Sequence, residues 1–172
     1  MADLRDNLFL FITQQEIAQM IQSIARQIEA EFEGDEITLI CPLKGSVLFI
    51  ADLMRELKLP QRVEFVDYKA IQRGGLIAIR QDLQEEIRGR DVVVVEEIID
   101  TGRTLNFLCD RILLSQPASL KIATLLDKPS RRELPIRPDY VGRTIDDRYV
   151  VGYGMDSEER GRNFPDIYSL KN

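Results

Sequence analysis

Four consecutive β-branched residues, Val92-Val93-Val94-Val95, constrain the fold more than any other stretch of the 172-residue chain. An uninterrupted apolar strand has no polar face to give to water, so it needs cover on both sides. That is the place of a central strand in a parallel sheet. Residues 37–41, 63–68, 120–126 and 149–151 read as further strands. Residues 13–33 read as a helix: Thr13 and Glu16 form a capping box, Ile17, Met20, Ile21, Ile24 and Ile28 share one face, and Gly34 suits the C′ position. A second helix is expected over 47–57. A third starts near Arg103, with Leu105, Leu108, Cys109 and Ile112 at i, i+3, i+4, i+7 spacing. Strands alternating with helices predict an α/β fold with a mainly parallel central sheet flanked by helices.

The remaining stretches are expected to be irregular. Pro42 to Ser46 reads as a loop, Gln72-Arg73-Gly74-Gly75 as an irregular segment, and residues 76–79 as a flap strand. The charged run 81–90 reads as a solvated loop with a helical turn, and 96–102 as a polar loop. The Phe9-Leu10-Phe11-Ile12 cluster is expected either under the first helix or at a subunit contact.

Composition removes several function classes. Lys plus Arg total 23 against 29 Asp plus Glu, a net charge of −6, which argues against a general nucleic-acid-backbone binder. The chain holds no histidine, which excludes Ser-His-Asp and Cys-His catalysis, histidine bases and histidine-ligated zinc. Two cysteines, Cys41 and Cys109, are too few for a disulfide framework and sit in apolar settings, so buried thiols in a cytoplasmic protein are expected. Neither a basic-then-apolar leader nor 18 consecutive apolar residues is found, so export and membrane insertion are not expected.

The chemistry concentrates after the central strand, in Glu96-Glu97-Ile98-Ile99-Asp100-Thr101-Gly102-Arg103-Thr104. The carboxyl end of a strand leading into a helix is where open α/β sheets bind ligands. Its second half offers two hydroxyls, a small-residue turn at Gly102 and free N–H groups at a helix N-terminus, a site for a phosphate monoester. Its first half offers two adjacent carboxylates, which beside a phosphate suit sugar hydroxyls or a hydrated Mg²⁺.

This stretch resembles the phosphoribosyl-pyrophosphate-binding motif of type I phosphoribosyltransferases, and Asp100 resembles the hypoxanthine-guanine branch. Three more segments are similar to that family: Leu43-Lys44-Gly45-Ser46, Leu125-Leu126-Asp127-Lys128-Pro129, and Tyr149-Val150-Val151-Gly152-Tyr153-Gly154-Met155-Asp156. The resemblance spans about residues 8–170. It implies a single domain over 1–172, with a flap at about 68–82 and a hood built from N-terminal residues and about 139–172.

The resemblance also implies roles. Lys44, Gly45 and Arg162 would hold pyrophosphate, with a cis bond between Lys44 and Gly45. Thr101, Gly102, Arg103 and Thr104 would anchor the 5′-phosphate. Lys128 would donate to the purine O6, Tyr149 would stack on the ring, and Val150 would read the base through its backbone. Glu96, Glu97 and Asp156 would hold Mg²⁺, Asp156 through waters, and Asp100 would act as general base toward N7. The implied partners are phosphoribosyl pyrophosphate, an oxopurine base and a purine mononucleotide, in a homodimer or homotetramer.

Two departures bear on turnover. Glu97 stands where the family usually has Asp, and Ala70-Ile71 stands where it has a Ser-Tyr pair, in a loop that is shorter. The competing expectations are a shifted base preference, such as xanthine, and a nucleotide-binding regulatory paralogue with weak turnover.

Overall fold

The computed structural model describes residues 7–70 and 77–170. In chain order it runs β1 (Leu8–Ile12), α1 (Gln14–Phe32), β2 (Ile37–Pro42), α2 (Val47–Glu56), β3 (Gln61–Ala70), β4 (Ile77–Gln81), β5 (Asp91–Ile99), α3 (Arg103–Leu113), β6 (Ser119–Asp127), a 3₁₀ turn (Pro129–Arg131), β7 (Tyr140–Thr144), β8 (Val150–Val151) and β9 (Ile167–Leu170). Six strands form one sheet in the order β4-β3-β2-β5-β6-β7, parallel except for the β3–β4 pair. A second sheet joins β1, β9 and β8. Within the stretch expected to form the hood, Tyr140–Thr144 instead pairs with β6 in the main sheet.

The valine run behaves as its composition requires. Val93 and Val95 enter the core beneath α1 and α2, whereas Val92 and Val94 enter the core beneath α3. Two apolar layers on one strand explain why no polar alternation is present. The helices follow their periodicity: α1 buries Ile17, Met20, Ile21, Ile24 and Ile28, and α3 buries Leu105, Leu108, Cys109 and Ile112.

The first helix begins as expected. Thr13 Oγ1 accepts from Glu16 N at 3.2 Å, and the Glu16 carboxylate accepts from Thr13 N at 2.8 Å. Glu16 also pairs with Arg143 of β7 at 2.9 Å, tying the helix start to the sheet edge. These bonds, the Thr13 backbone donor first, lower the Glu16 carboxyl from 4.5 to about 2. The left-handed turn that ends α1 begins at Glu33, one residue before Gly34.

Two expectations about the loops need correction. The chain does not leave the sheet at Glu96, because β5 stays paired with β6 through Ile99↔Asp127. The apolar Ile98 and Ile99 carry the strand past the two acids, and Ile99 is buried in the α3-side core. Gln81 ends β4, and the rest of the run, 82–90, forms no helical turn; it is pinned as irregular chain, with Ile87 fully buried. There Tyr68 donates its hydroxyl to Asp82, and Arg111 Nε bonds the same carboxylate at 3.0 Å.

Of the Phe9–Ile12 cluster, Ile12 and Phe11 join the core that α1 covers, as the first of the two alternatives expects. The cluster lies in β1, antiparallel to β9, with Leu8 and Ile12 buried and Phe9 and Leu10 exposed. The expected irregular segment at 72–75, with Ile71 and Leu76 beside it, lies outside the described residues. Of the expected flap, residues 77–81 are a strand, β4, antiparallel to β3.

Replacing Thr13 by Ala is expected to cost about 1 kcal/mol in chemical denaturation, the ordinary worth of an N-cap. Because the Glu16 carboxyl is depressed on folding, its stabilisation is complete above pH 4.5 and is lost as pH falls toward 2. The stability gap between wild type and Glu16→Gln should therefore close over that interval. Burial pushes both free thiols, Cys41 and Cys109, up to about 12. A chromogenic thiol reagent at pH 8 should titrate neither rapidly in native protein and both after unfolding.

Candidate active site

Strand order reverses between β2 and β5, since β3 lies outward from one and β6 outward from the other. A crevice opens at the carboxyl ends of strands at such a switch point. β2 pairs with β5 only to Ile40↔Val94, whereas β5 continues to Ile99. The last residues of β5 therefore stand beside the loop that leaves β2.

Period-two alternation sends the two acids of β5 to different neighbours. Glu96 lines a cavity of about 150 Å³ together with Ile98, Ile99 and residues 100–105. Glu97 reaches the loop after β2, where its Oε1 lies 1.7 Å from the position a Gly45 Cβ would occupy. Burial raises both carboxyls, and the Glu97 charge raises Glu96 further. The Ser46 hydroxyl and the Arg162 guanidinium pull Glu97 down in part, while Asp156 pushes it up.

The turn and helix start expected after Asp100 are present. Gly102 caps α3 with φ 81°, Asn106 N donates to Gly102 O at 2.8 Å, and Arg103 N donates to Thr101 Oγ1 at 3.5 Å. The first-turn amides of α3, with Thr101 and Thr104, open on the 150 Å³ cavity. Arg103 itself pairs with Glu133.

The loop after β2 carries a cis peptide, and its position differs from the expected one: it is Leu43–Lys44, not Lys44–Gly45. The turn comes one residue earlier because Leu43 N still bonds Val66 O at 2.7 Å, so the extended pairing ends there. The Gly45 carbonyl oxygen lies 1.9 Å from the position of a Gly154 Cβ, so this loop and the loop 152–156 meet backbone to backbone. Arg162 locks that meeting, donating to Gly154 O at 2.8 Å and pairing with Asp156 at 2.7 Å. Lys44 pairs with Glu159 at 3.2 Å.

Lys128 and Tyr149 sit in opposite circumstances to those expected of such side chains in general. Lys128, at the end of β6, is 6% exposed, and among the described residues its ammonium has no carboxylate partner. Its backbone N donates to Ile99 O at 3.0 Å, placing it beside the Asp100 loop. Tyr149 is 48% exposed, with its hydroxyl on Asp156 O at 3.1 Å, so its ring is not core packing. Val150 is buried in β8.

Sequence reasoning missed the residues that hold Asp100. Arg131 pairs with its carboxylate at 3.1 Å and also faces Asp147 at 3.7 Å. Arg132 donates to Asp100 O at 2.5 Å and pairs with the buried Asp127. The signal was available: Pro129 after Lys128 starts a short helical turn that presents both arginines back toward the strand.

Among the described residues, no three acidic or thiol side chains gather as a metal cage. The carboxylates of Glu97 and Asp156 are oxygen donors of the kind a hard cation takes, with Asp156 now engaged by Arg162 and by Glu159 N. Mg²⁺ is such a cation, keeping most of its waters and relying on substrate phosphates.

Comparison with known proteins agrees with this geometry. Residues 11–158 match the phosphoribosyl transferase domain. The hypoxanthine phosphoribosyltransferase of Salmonella typhimurium is 42% identical over 162 residues, covering 91% of each chain. The bifunctional protein TilS/HprT of Listeria innocua is 39% identical over 166 residues, and there the chain spans only 26% of the relative's length. A crystal structure of a hypoxanthine-guanine phosphoribosyltransferase from Bacillus anthracis superposes with a TM-score of 0.92 at 40% identity, covering 95% of this chain and 98% of that one. The chain belongs to the phosphoribosyl transferase family, in its hypoxanthine-guanine branch, and is a transferase enzyme. Among the described residues no helix is long and apolar enough to cross a membrane.

Gly154→Ala is expected to destabilise by about 2 kcal/mol or more, because φ of +93° and the Gly45 carbonyl both oppose a Cβ. Gly45→Ala meets only the far end of the Glu97 side chain and should cost less. Urea denaturation checks this; equal costs would show that the backbone contact does not dictate glycine at 154.

Proposed function

We propose that this enzyme transfers the 5-phosphoribosyl group from phosphoribosyl pyrophosphate to N9 of hypoxanthine or guanine, giving IMP or GMP and pyrophosphate in purine salvage, with Mg²⁺. The observation that carries this proposal is Lys128, a residue 6% exposed whose ammonium has no carboxylate partner among the described residues and whose backbone N bonds Ile99 O, next in the chain to Asp100. A lysine with its donors unclaimed by the protein can donate to an oxopurine O6 while N7 faces the acid. An aminopurine would present a donor to a donor.

The other residues then take their parts. Thr101, Gly102, Arg103 and Thr104 hold the 5′-phosphate through amides and hydroxyls. Glu96 and Glu97 face the ribose hydroxyls. Lys44, Gly45 and Arg162 bind the pyrophosphate end, Tyr149 stacks on the base, and Val150 reads it by backbone. Glu96, Glu97 and Asp156 would hold Mg²⁺, which when bound supplies positive charge to the pyrophosphate leaving group.

Displacement at the anomeric carbon builds positive charge on the sugar, so catalysis lies in neutralising the departing charge and aligning the base. Asp100 takes the N7 proton as the new bond forms. To do so it releases Arg131, and with 46% of each side chain exposed that ion pair is weak enough to exchange. Arg132 keeps the Asp100 backbone in place meanwhile. The same assignment places the enzyme in the cytoplasm as a homodimer or homotetramer.

Pyrophosphate release from phosphoribosyl pyrophosphate and Mg²⁺, measured with hypoxanthine, guanine, xanthine and adenine, tests the proposal. Turnover with hypoxanthine or guanine is expected. Turnover with xanthine alone would move the base preference, and silence with all four in protein that binds a purine mononucleotide would make it a regulatory paralogue. Asp100→Asn should lower kcat about 10²- to 10⁴-fold with mononucleotide affinity retained. Unchanged kcat would remove Asp100 from the proton transfer.

A further inference from the structure

Lys44, Arg80 and Arg162 line a cavity of about 170 Å³ that also contains the carboxylates of Asp67 and Glu159. Arg80 leans toward Asp67 at 3.7 Å. The other two cations converge on one atom: Glu159 Oε2 accepts from Lys44 Nζ at 3.2 Å and from Arg162 Nη2 at 3.2 Å. These are the two side chains assigned above to pyrophosphate, and the following rests on that assignment. We infer that Glu159 is an internal anion seated on the pyrophosphate-binding cations, which the incoming ligand must displace, so that this residue sets the affinity of the site.

The backbone is shaped to present this carboxylate. Glu158 and Glu159 are consecutive non-glycine residues at φ 53° and 63°, a conformation that L side chains rarely adopt. Glu159 N donates to Asp156 Oδ2 at 2.8 Å, and a bridge between Ser157 and Arg160 closes the turn. A glutamate carboxyl is an anion at neutral pH, so the two cations meet a full negative charge there.

The occupant is also built to leave. Lys44 and Glu159 side chains are about 60% exposed, so their attraction is screened by water. Arg162 Nε is buried and, among the described residues, has no acceptor. Asp156 and Glu159 both meet Nη2, so the two carboxylates together still leave a donor of the arginine unsatisfied. Pyrophosphate carries more oxygens and more charge and satisfies what Glu159 cannot.

The test is calorimetric titration with inorganic pyrophosphate at fixed Mg²⁺. Glu159→Gln removes the competing charge and should tighten pyrophosphate binding about 3- to 10-fold, the scale of two exposed ion pairs. Glu158→Gln, whose side chain pairs only with Arg160 among the described residues, should leave affinity unchanged. A merely structural Glu159 would weaken binding or leave it alone when replaced, and either result overturns the inference. If wild type and Glu159→Gln both bind neither pyrophosphate nor phosphoribosyl pyrophosphate, the assigned function fails and takes the inference with it. Binding by wild type without tightening in the variant refutes the inference alone.

Discussion

Pairing between β2 and β5 stops at Ile40↔Val94, while β5 keeps its partner β6 for five further residues of register, to Ile99↔Asp127. The site depends on this mismatch in strand length. Past Val94 one edge of β5 has no neighbouring strand, and the backbone that would have been β2 turns away through the cis peptide at Leu43–Lys44. Side chains at the end of β5 face loops on one edge and sheet on the other. A strand ending flush with β2 would leave Glu96 and Glu97 in open solvent; one paired on both sides would leave no crevice.

Charge follows from the same geometry. Glu96 and Glu97 are drawn into a partly buried place where desolvation and their own repulsion both oppose ionisation. Opposing them stand Arg162, Lys44 and the positive end of α3. Neither set is satisfied by the protein alone: the acids lack a cation, and Lys128 and Arg162 keep unpaired donors among the described residues. Anionic oxygens at one end of a ligand and a carbonyl at the other would answer the donors, while the acids call for a cation beside it. Complementarity here is mostly electrostatic, with shape supplied by backbone contact at Gly45 and Gly154.

Much of this was legible in the residues. The valine run marked the central strand because its apolarity demanded two covered faces, and Thr13 and Glu16 marked the helix start because their bonds are local. The motif from Glu96 to Thr104 could be placed because strand, turn and helix signals follow one another without a gap. Long-range features were not legible. Nothing in Leu8–Ile12 says that its partner is Ile167–Leu170, and the end of β5 depended on pairing with β6 rather than on its own polar residues. Glu159 was invisible for the same reason: its meaning comes from Lys44, 115 positions away. The expected cis bond was misplaced by one residue because ladder pairing at Leu43 leaves no local trace.

The antiparallel contact between β1 and β9 joins Leu8 to Leu170. That sheet also carries β8, from which the loop bearing Asp156 and Arg162 departs. Contacts so far apart in sequence must overcome the largest chain-closure entropy, whereas the β2-α2-β3 and β5-α3-β6 units close over short spans. Closing the β1–β9 contact is therefore the entropically costly step, and the sheet that it completes is the one from which the loop bearing Asp156 and Arg162 departs. The anion-binding loop is thus coupled to the longest-range pairing of the fold, so loosening β1 from β9 reaches the site without touching the central strands.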